Sequence, residues 1–190
     1  VLEYPLLVDL IEGCDAVLHL AAIASVPLSI EDPVYTFQVN SQGMLHVLEA
    51  VRTALCPVRL VYASSAAVYG NATDLPCDDT KPLLSPPLSP YALQKIENES
   101  YAALYKRLHA QASLGLRYFN AYGPGQDPHS PYSGVISRFI EDCRQNKSLA
   151  IYGDGLQSRD FIHVSDIANA NVLALQSDYH GVLNVATGKP

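Results

Sequence analysis

Two hydrophobic rhythms alternate along the chain. Short, β-branched apolar runs are separated by longer stretches whose apolar positions repeat every three or four residues. Residues 15–21 and 58–63 read as buried strands, because a parallel strand covered on both faces is apolar almost throughout. Residues 33–55 read as one long helix. Residues 91–109 read as another, with Ala, Leu and Tyr on one side and Lys and Glu on the other. Ser89 and Pro90 stand where a helix cap and first-turn proline are favoured. Strands are expected at 112–119, 149–152, 160–164 and 181–186, and helices at 135–145 and 166–175, the last capped by Ser165. Two polar, Pro- and Gly-rich segments, 71–90 and 121–134, interrupt the pattern; the first is too long for a plain connection and is a candidate functional loop. Alternating strands and helices predict an α/β fold: a doubly wound, mostly parallel sheet with helices on both faces.

Composition narrows the classes. With 48% hydrophobic and 16% charged residues in 190, the chain can bury a sizeable core and is not expected to be disordered. A net charge of −7 argues against nucleic acid and anionic membrane surfaces as partners. No apolar run approaches a membrane span, and no signal peptide is visible. Cys14, Cys56, Cys77 and Cys143 form no Cys-x-x-Cys pair and read as reduced thiols of a cytoplasmic protein. The six histidines lack metal-ligand spacing, so no metal is expected; His19 and His163 lie in strand-like runs and read as packed side chains. The chain has no initiator Met, starts mid-pattern and stops just after a strand, which reads as a segment of something longer.

The candidate chemistry sits at Tyr91-Ala-Leu-Gln-Lys95, 26 positions after Ser65. Tyrosine and lysine four apart on a helix share a face. Strand 58–63 delivers Ser64 and Ser65 at its carboxyl end, where ligands of open α/β sheets bind. By itself a Tyr-x-x-x-Lys spacing is weak. With a strand-end serine facing it, a phenol, an ammonium and a hydroxyl converge: equipment for moving a proton on and off an alcohol while a nicotinamide takes the hydride. A free phenol has a pKa of about 10, and a neighbouring ammonium is expected to lower it.

Several further motifs arrive in register: His19-Leu20-Ala21-Ala22, Ser25-Val26-Pro27, Asn40, Ser64-Ser65-Ala66-Ala67-Val68-Tyr69-Gly70, Tyr91 with Lys95, Arg117-Tyr118-Phe119-Asn120, Gly153-Asp154-Gly155 and Arg159-Asp160-Phe161. In these the chain resembles the extended short-chain dehydrogenase/reductases, the NAD-dependent epimerases and dehydratases of nucleotide sugars. The resemblance covers essentially the whole chain and is nearest to UDP-N-acetylglucosamine and UDP-glucose 4-epimerases. It implies a Rossmann-like sheet, with residues 1–122 a partial NAD-binding domain and residues 123–190 a partial substrate-binding region interleaved with the last Rossmann elements. The family's opening Gly-x-x-Gly-x-x-Gly turn, its following acidic residue and its last stretch have no counterpart here. The chain therefore reads as the middle of a longer enzyme, and the choice between NAD and NADP is not written in it.

The resemblance also implies roles. Tyr91 is the general base, Lys95 holds the nicotinamide ribose, and Ser65 bridges phenol and sugar, with Ser64 its alternate. Leu20, Ala21, Ala22, Asn40, Ala63, Ser64 and Tyr118 fall on cofactor-side positions; Asn40 would support the active-site loop. Ser25, Val26, Asn120, Val135, Tyr152 and Arg159 fall on substrate-side positions, Arg159 as the fork that clamps the diphosphate. For Arg159 a surface ion pair with Asp154 or Asp160 is the competing reading. The implied reaction inverts C4 of a UDP-sugar through a transient 4-keto intermediate, with NAD as cofactor. Dehydratase and decarboxylase relatives carry acids just after the catalytic hydroxyl; here Ala66 and Ala67 offer no proton. A reductase or dehydratase on the same scaffold, or a non-catalytic dinucleotide sensor, stands as the alternative. A homodimer through a four-helix contact of 33–55 and 91–109 is expected, with Leu104 and Leu108 as candidate contact positions.

Overall fold

The structure is a computed structural model and describes residues 1–130, 133–151 and 153–189. Helix α1 (Tyr4–Ile11) leads into β1 (Ala16–His19), then α2 (Val26–Glu31), α3 (Pro33–Phe37), a π-helical turn (Gln38–Gln42) and α4 (Gly43–Thr53). Strand β2 (Arg59–Ser65) runs into a 3-10 turn (Ala66–Tyr69) and, after the long loop, α5 (Pro90–His109). The remaining elements are β3 (Ser113–Tyr118), β4 (Asn120–Tyr122), α6 (Val135–Arg144), β5 (Phe161–His163), α7 (Val164–Gln176) and β6 (Gly181–Val185).

Four strands form a parallel sheet in the order β1-β2-β3-β6, and β4 and β5 form a separate parallel pair. Strand β2 shows how the sheet is covered. Successive side chains point to opposite faces: Leu60 and Tyr62 enter the core shared with α1, α4 and α5, while Val61 enters the core shared with α7. The first core holds Met44, Val47, Leu48, Ala102 and Tyr105; the second holds Leu114, Leu116, Ile162, Ile167 and Val185. The ring of Tyr62 lies where a side chain at position 115 would be, since a Cβ on Gly115 would stand 2.6 Å from its hydroxyl. The doubly wound parallel sheet expected from the sequence is the architecture observed.

The differences lie in the elements. The long helix expected over 33–55 forms without a break from Pro33 to Thr53, with helical backbone where α3, the π turn and α4 join, and Asn40 sits in the widened turn. Helices α1 and α2 were not foreseen, although Pro5 and Pro27 occupy their first turns and Ser25 caps α2 by accepting the Leu28 N–H at 3.1 Å. No strand forms over the described residues 149–151, where Leu149 and Ile151 are exposed and no strand pairs with their backbone. The loop expected over 121–134 begins as strand, because β4 finds a partner in β5. Helix α7 starts earlier than expected, and its cap is His163, whose Nδ1 accepts the Ser165 N–H. The α5 start is as expected: Ser89 Oγ accepts the Ala92 N–H at 3.1 Å with Pro90 at the first position.

Candidate active site

Helix α5 packs across the carboxyl end of β2, and the two meet residue by residue. The Tyr91 phenol faces the Ser65 hydroxyl closely enough for that side chain to favour its ionised form. One turn on, the Lys95 ammonium donates to the Ala63 carbonyl at 2.8 Å, with its nitrogen 5.7 Å from the Tyr91 ring centroid. One turn further, Glu99 accepts the Ser64 hydroxyl at 2.6 Å. Positions 91, 95 and 99 share a helix face by their fourfold spacing. The structure thus brings Ser65, Tyr91 and Lys95 into one volume, together with Ala63 and Ser64.

Burial governs the charges there. Tyr91 and Lys95 are only 8% and 4% exposed. Burial pushes the Tyr91 phenol above its ordinary value, and the Ser65 hydroxyl partly offsets this. The sequence reading that Lys95 lowers the phenol is therefore corrected: in this structure desolvation outweighs the other influences on the phenol. Lys95 itself is pushed down to about 8 by burial, with the Glu99 carboxylate acting in the opposite sense. His19, buried at the end of β1, is lowered to about 4 by burial and secondarily by Lys95, so its imidazole is neutral near pH 7. His19 is packed, as its apolar surroundings suggest.

The loop after β1 is braced from below. Asn40 Oδ1 accepts the Ile23 N–H at 2.8 Å, and its amide nitrogen donates to Ile23 O at 3.0 Å and Gln94 Oε1 at 2.8 Å. Gln94 in turn donates to Thr36 Oγ1 at 3.1 Å. Buried amides need such partners. Asn40 supports residues 20–25 through these bonds rather than presenting a free amide. Leu20 and Ala21 are exposed and Ala22 half-buried beside that loop. Ser25 is buried as the α2 cap, with Val26 exposed as the first residue of that helix. Ser29 on α2 accepts the Tyr91 N–H at 3.1 Å, which fixes the start of α5 against α2.

The outer residues are spread along neighbouring strand ends. Tyr118, at the end of β3, donates to Asn171 Oδ1 at 2.7 Å. Asn120 in β4 donates through its side chain to Asp160 O at 2.8 Å. Val135 opens α6 and is exposed. Arg159 is exposed and donates to Ser158 O at 2.8 Å, while the Asp160 carboxylate accepts the Thr187 and Gly188 N–H groups. Tyr152 lies outside the described residues. Ser29, Gln94, Glu99 and the role of Arg117 were missed by sequence reading. Glu99 was findable, since it continues the Tyr91, Lys95 spacing by one more turn. The candidate loop is fastened at its start: Gly70 has φ +56°, and a Cβ there would lie 2.5 Å from Pro86 O, so glycine lets the two backbones touch.

The small side chain of Ala63 leaves backbone approachable beside the Lys95 ammonium. Of its three N–H groups, one is used on Ala63 O among the described residues. That donor set fits a ribose with its vicinal hydroxyls, and so fits a dinucleotide. A phenol, a hydroxyl and a buried ammonium at the carboxyl edge of a parallel sheet define a site of the short-chain dehydrogenase/reductase class. Residues 1–186 match the model of the NAD dependent epimerase/dehydratase family. The fold superposes with a TM-score of 0.91 on the UDP-N-acetylglucosamine 4-epimerase of Methanobrevibacter ruminantium, solved with UDP-N-acetylmuramic acid, at 43% identity over 96% of this chain and 58% of that one. It superposes at 0.87 on the UDP-glucose 4-epimerase of Thermus thermophilus, solved with NAD, at 36% identity over 99% of this chain and 62% of that one. A curated UDP-glucose 4-epimerase of Mycolicibacterium smegmatis is 34% identical over 160 residues, 84% of this chain and 50% of its own length. The chain belongs to the NAD-dependent epimerase/dehydratase family. It spans about half the length of the curated relatives it matches.

Proposed function

We propose that this chain carries the catalytic centre of an NAD-dependent nucleotide-sugar epimerase, which inverts C4 of a UDP-hexose or UDP-N-acetylhexosamine through a transient 4-keto sugar. The observation that carries the reading is the convergence of Ser65, Tyr91 and Lys95 beside a turn that begins Ala66-Ala67 and brings no acid there. Removal of water from the sugar needs such an acid; inversion does not.

Tyr91 takes the C4 hydroxyl proton, and Ser65 relays between that hydroxyl and the phenol. Lys95 binds the nicotinamide ribose and keeps positive charge beneath the Tyr91 ring. The nicotinamide supplies hydride acceptance and return at C4, and its positive charge favours the phenolate that burial opposes. Leu20, Ala21, Ala22, Ala63, Ser64 and Tyr118 line the cofactor side, and Asn40 holds the 20–25 loop against it. Ser25 and Val26 border the sugar, Asn120 contacts the diphosphate-linked sugar, Val135 borders the uridine, and Arg159 clamps the diphosphate through its forked donors. The whole protein is a homodimer through α3, α4 and α5; α3 exposes Val34, Tyr35 and Phe37 and α5 exposes Leu93 and Leu108, whereas Leu104 is half-buried.

The test is turnover of UDP-glucose and UDP-N-acetylglucosamine by the protein with NAD and no added reductant. Product inverted at C4 supports the epimerase. A reaction that proceeds only with added NAD(P)H replaces it with the reductase.

A further inference from the structure

Behind the catalytic pair lies a buried ion pair to which the reaction assigns no task. Arg117, on β3, donates from Nε to Glu99 Oε1 at 2.8 Å and from Nη2 to Oε2 at 2.7 Å, and the two side chains are 4% and 10% exposed. Its remaining Nη1 donates to the Tyr69 hydroxyl at 2.8 Å, which in turn donates to Asn184 Oδ1 at 2.7 Å. Asn184 reaches back to the candidate loop, with its N–H on Asp79 and its amide on the Cys77 carbonyl. Glu99 Oε1 also takes the Ser64 hydroxyl at 2.6 Å.

A buried ion pair is weak evidence for stability, because desolvation offsets much of the attraction. This one has a location that a purely structural pair would not need. Glu99 is the third member of the α5 face that carries Tyr91 and Lys95, and it grips Ser64, the neighbour of Ser65. Resting on the epimerase reading above, we propose that Glu99, oriented by Arg117, is a positioning residue: it clamps the end of β2 to α5 so that Ser65 meets Tyr91, and it sets the negative charge facing the Lys95 ammonium.

The groups facing Lys95 are Tyr91 and Glu99 on its own helix and His19 on β1; Tyr62 on β2 and Arg117 on β3 face Glu99 in turn. His19 is neutral near pH 7, Tyr62 is held protonated by burial, and Arg117 is cationic but bound to Glu99. Among these described groups, only the Glu99 carboxylate favours a charged Lys95, against burial. Without that charge the ammonium loses its proton at lower pH.

The experiment follows the Lys95 side chain in the whole protein by 13Cε NMR, with the signal assigned through Lys95→Arg. Glu99→Gln is expected to lower the Lys95 midpoint by about one pH unit, a tenfold change in its proton affinity. The alkaline limb of kcat should move down with it, while KM for the UDP-sugar holds. An unmoved Lys95 midpoint in a folded Glu99→Gln protein overturns the electrostatic part. Should Glu99→Gln fail to fold, Ser64→Ala decides the clamp, because it leaves the ion pair intact: about a tenfold loss of kcat at constant KM is expected, the order of a misplaced catalytic group. Unchanged kcat in Ser64→Ala overturns it. The NMR titration needs no turnover, so a protein with no epimerase activity refutes the function without deciding the clamp.

Discussion

Where α5 crosses the end of β2, polar side chains are buried and paired: Lys95 with Ala63 O, Ser64 and Arg117 with Glu99, Asn40 with Ile23 and Gln94. Around α6 and Arg159 the opposite holds. Helix α6 buries none of its residues, Val135 and Ile140 are 41% and 56% exposed, and the exposed Arg159 donates to the carbonyl of its own neighbour, Ser158. Both regions lie at strand ends, yet only one takes its geometry from the core. The proposed catalytic groups are held in place by packing. The proposed substrate-side groups Val135 and Arg159 are exposed. Chemistry and substrate grip should therefore separate under mutation.

The largest expected effect is at the phenol. Tyr91→Phe should lower kcat by about 10²–10⁴, with UDP-sugar binding by calorimetry left intact. Loss of binding instead would merge the two regions. Next is the buried pair: Arg117→Met strands the Glu99 carboxylate and should cost about 3–5 kcal/mol in urea unfolding. A cost near zero would mean that water reaches the pair and that this seam resembles the outer region after all.

His19 sharpens the contrast through pH. Its folded value of about 4 lies below the ordinary 6.5, so the unfolded chain binds more protons between them. Its stability contribution is complete above pH 6.5 and is lost as pH falls through that window, on the order of 3 kcal/mol in all. His19→Gln should flatten this slope in unfolding measured from pH 7 to 4. In the outer region, Arg159→Ala should raise KM for the UDP-sugar about tenfold or more, the value of a charge-assisted bond, with kcat nearly constant. A fall in kcat alone would move Arg159 to the catalytic side. The smallest effect is the cap: Ser89→Ala should cost about 1 kcal/mol of stability without altering KM.

Much of this was legible in the chain because it is local. The apolar runs of β1 and β2, the Ser89-Pro90 start of α5 and the Tyr91, Lys95 spacing each depend on near neighbours in sequence. The π turn within the helix expected over 33–55 was not legible, since it takes its meaning from Asn40 reaching Ile23, 17 residues away. Nor was the absence of a strand over 149–151, because a strand exists only where another backbone accepts its bonds.

Residue order by itself determined which groups share a helix face and which strand end they meet: phenol, ammonium and hydroxyl, in a parallel α/β frame. Tertiary structure alone decided their charges. Only packing could show that burial raises the Tyr91 phenol and lowers Lys95, and that Glu99 and Arg117, from different elements, pair behind them. Proton affinity is set by the water a group loses and the charges that surround it, and neither is encoded in any single stretch of sequence.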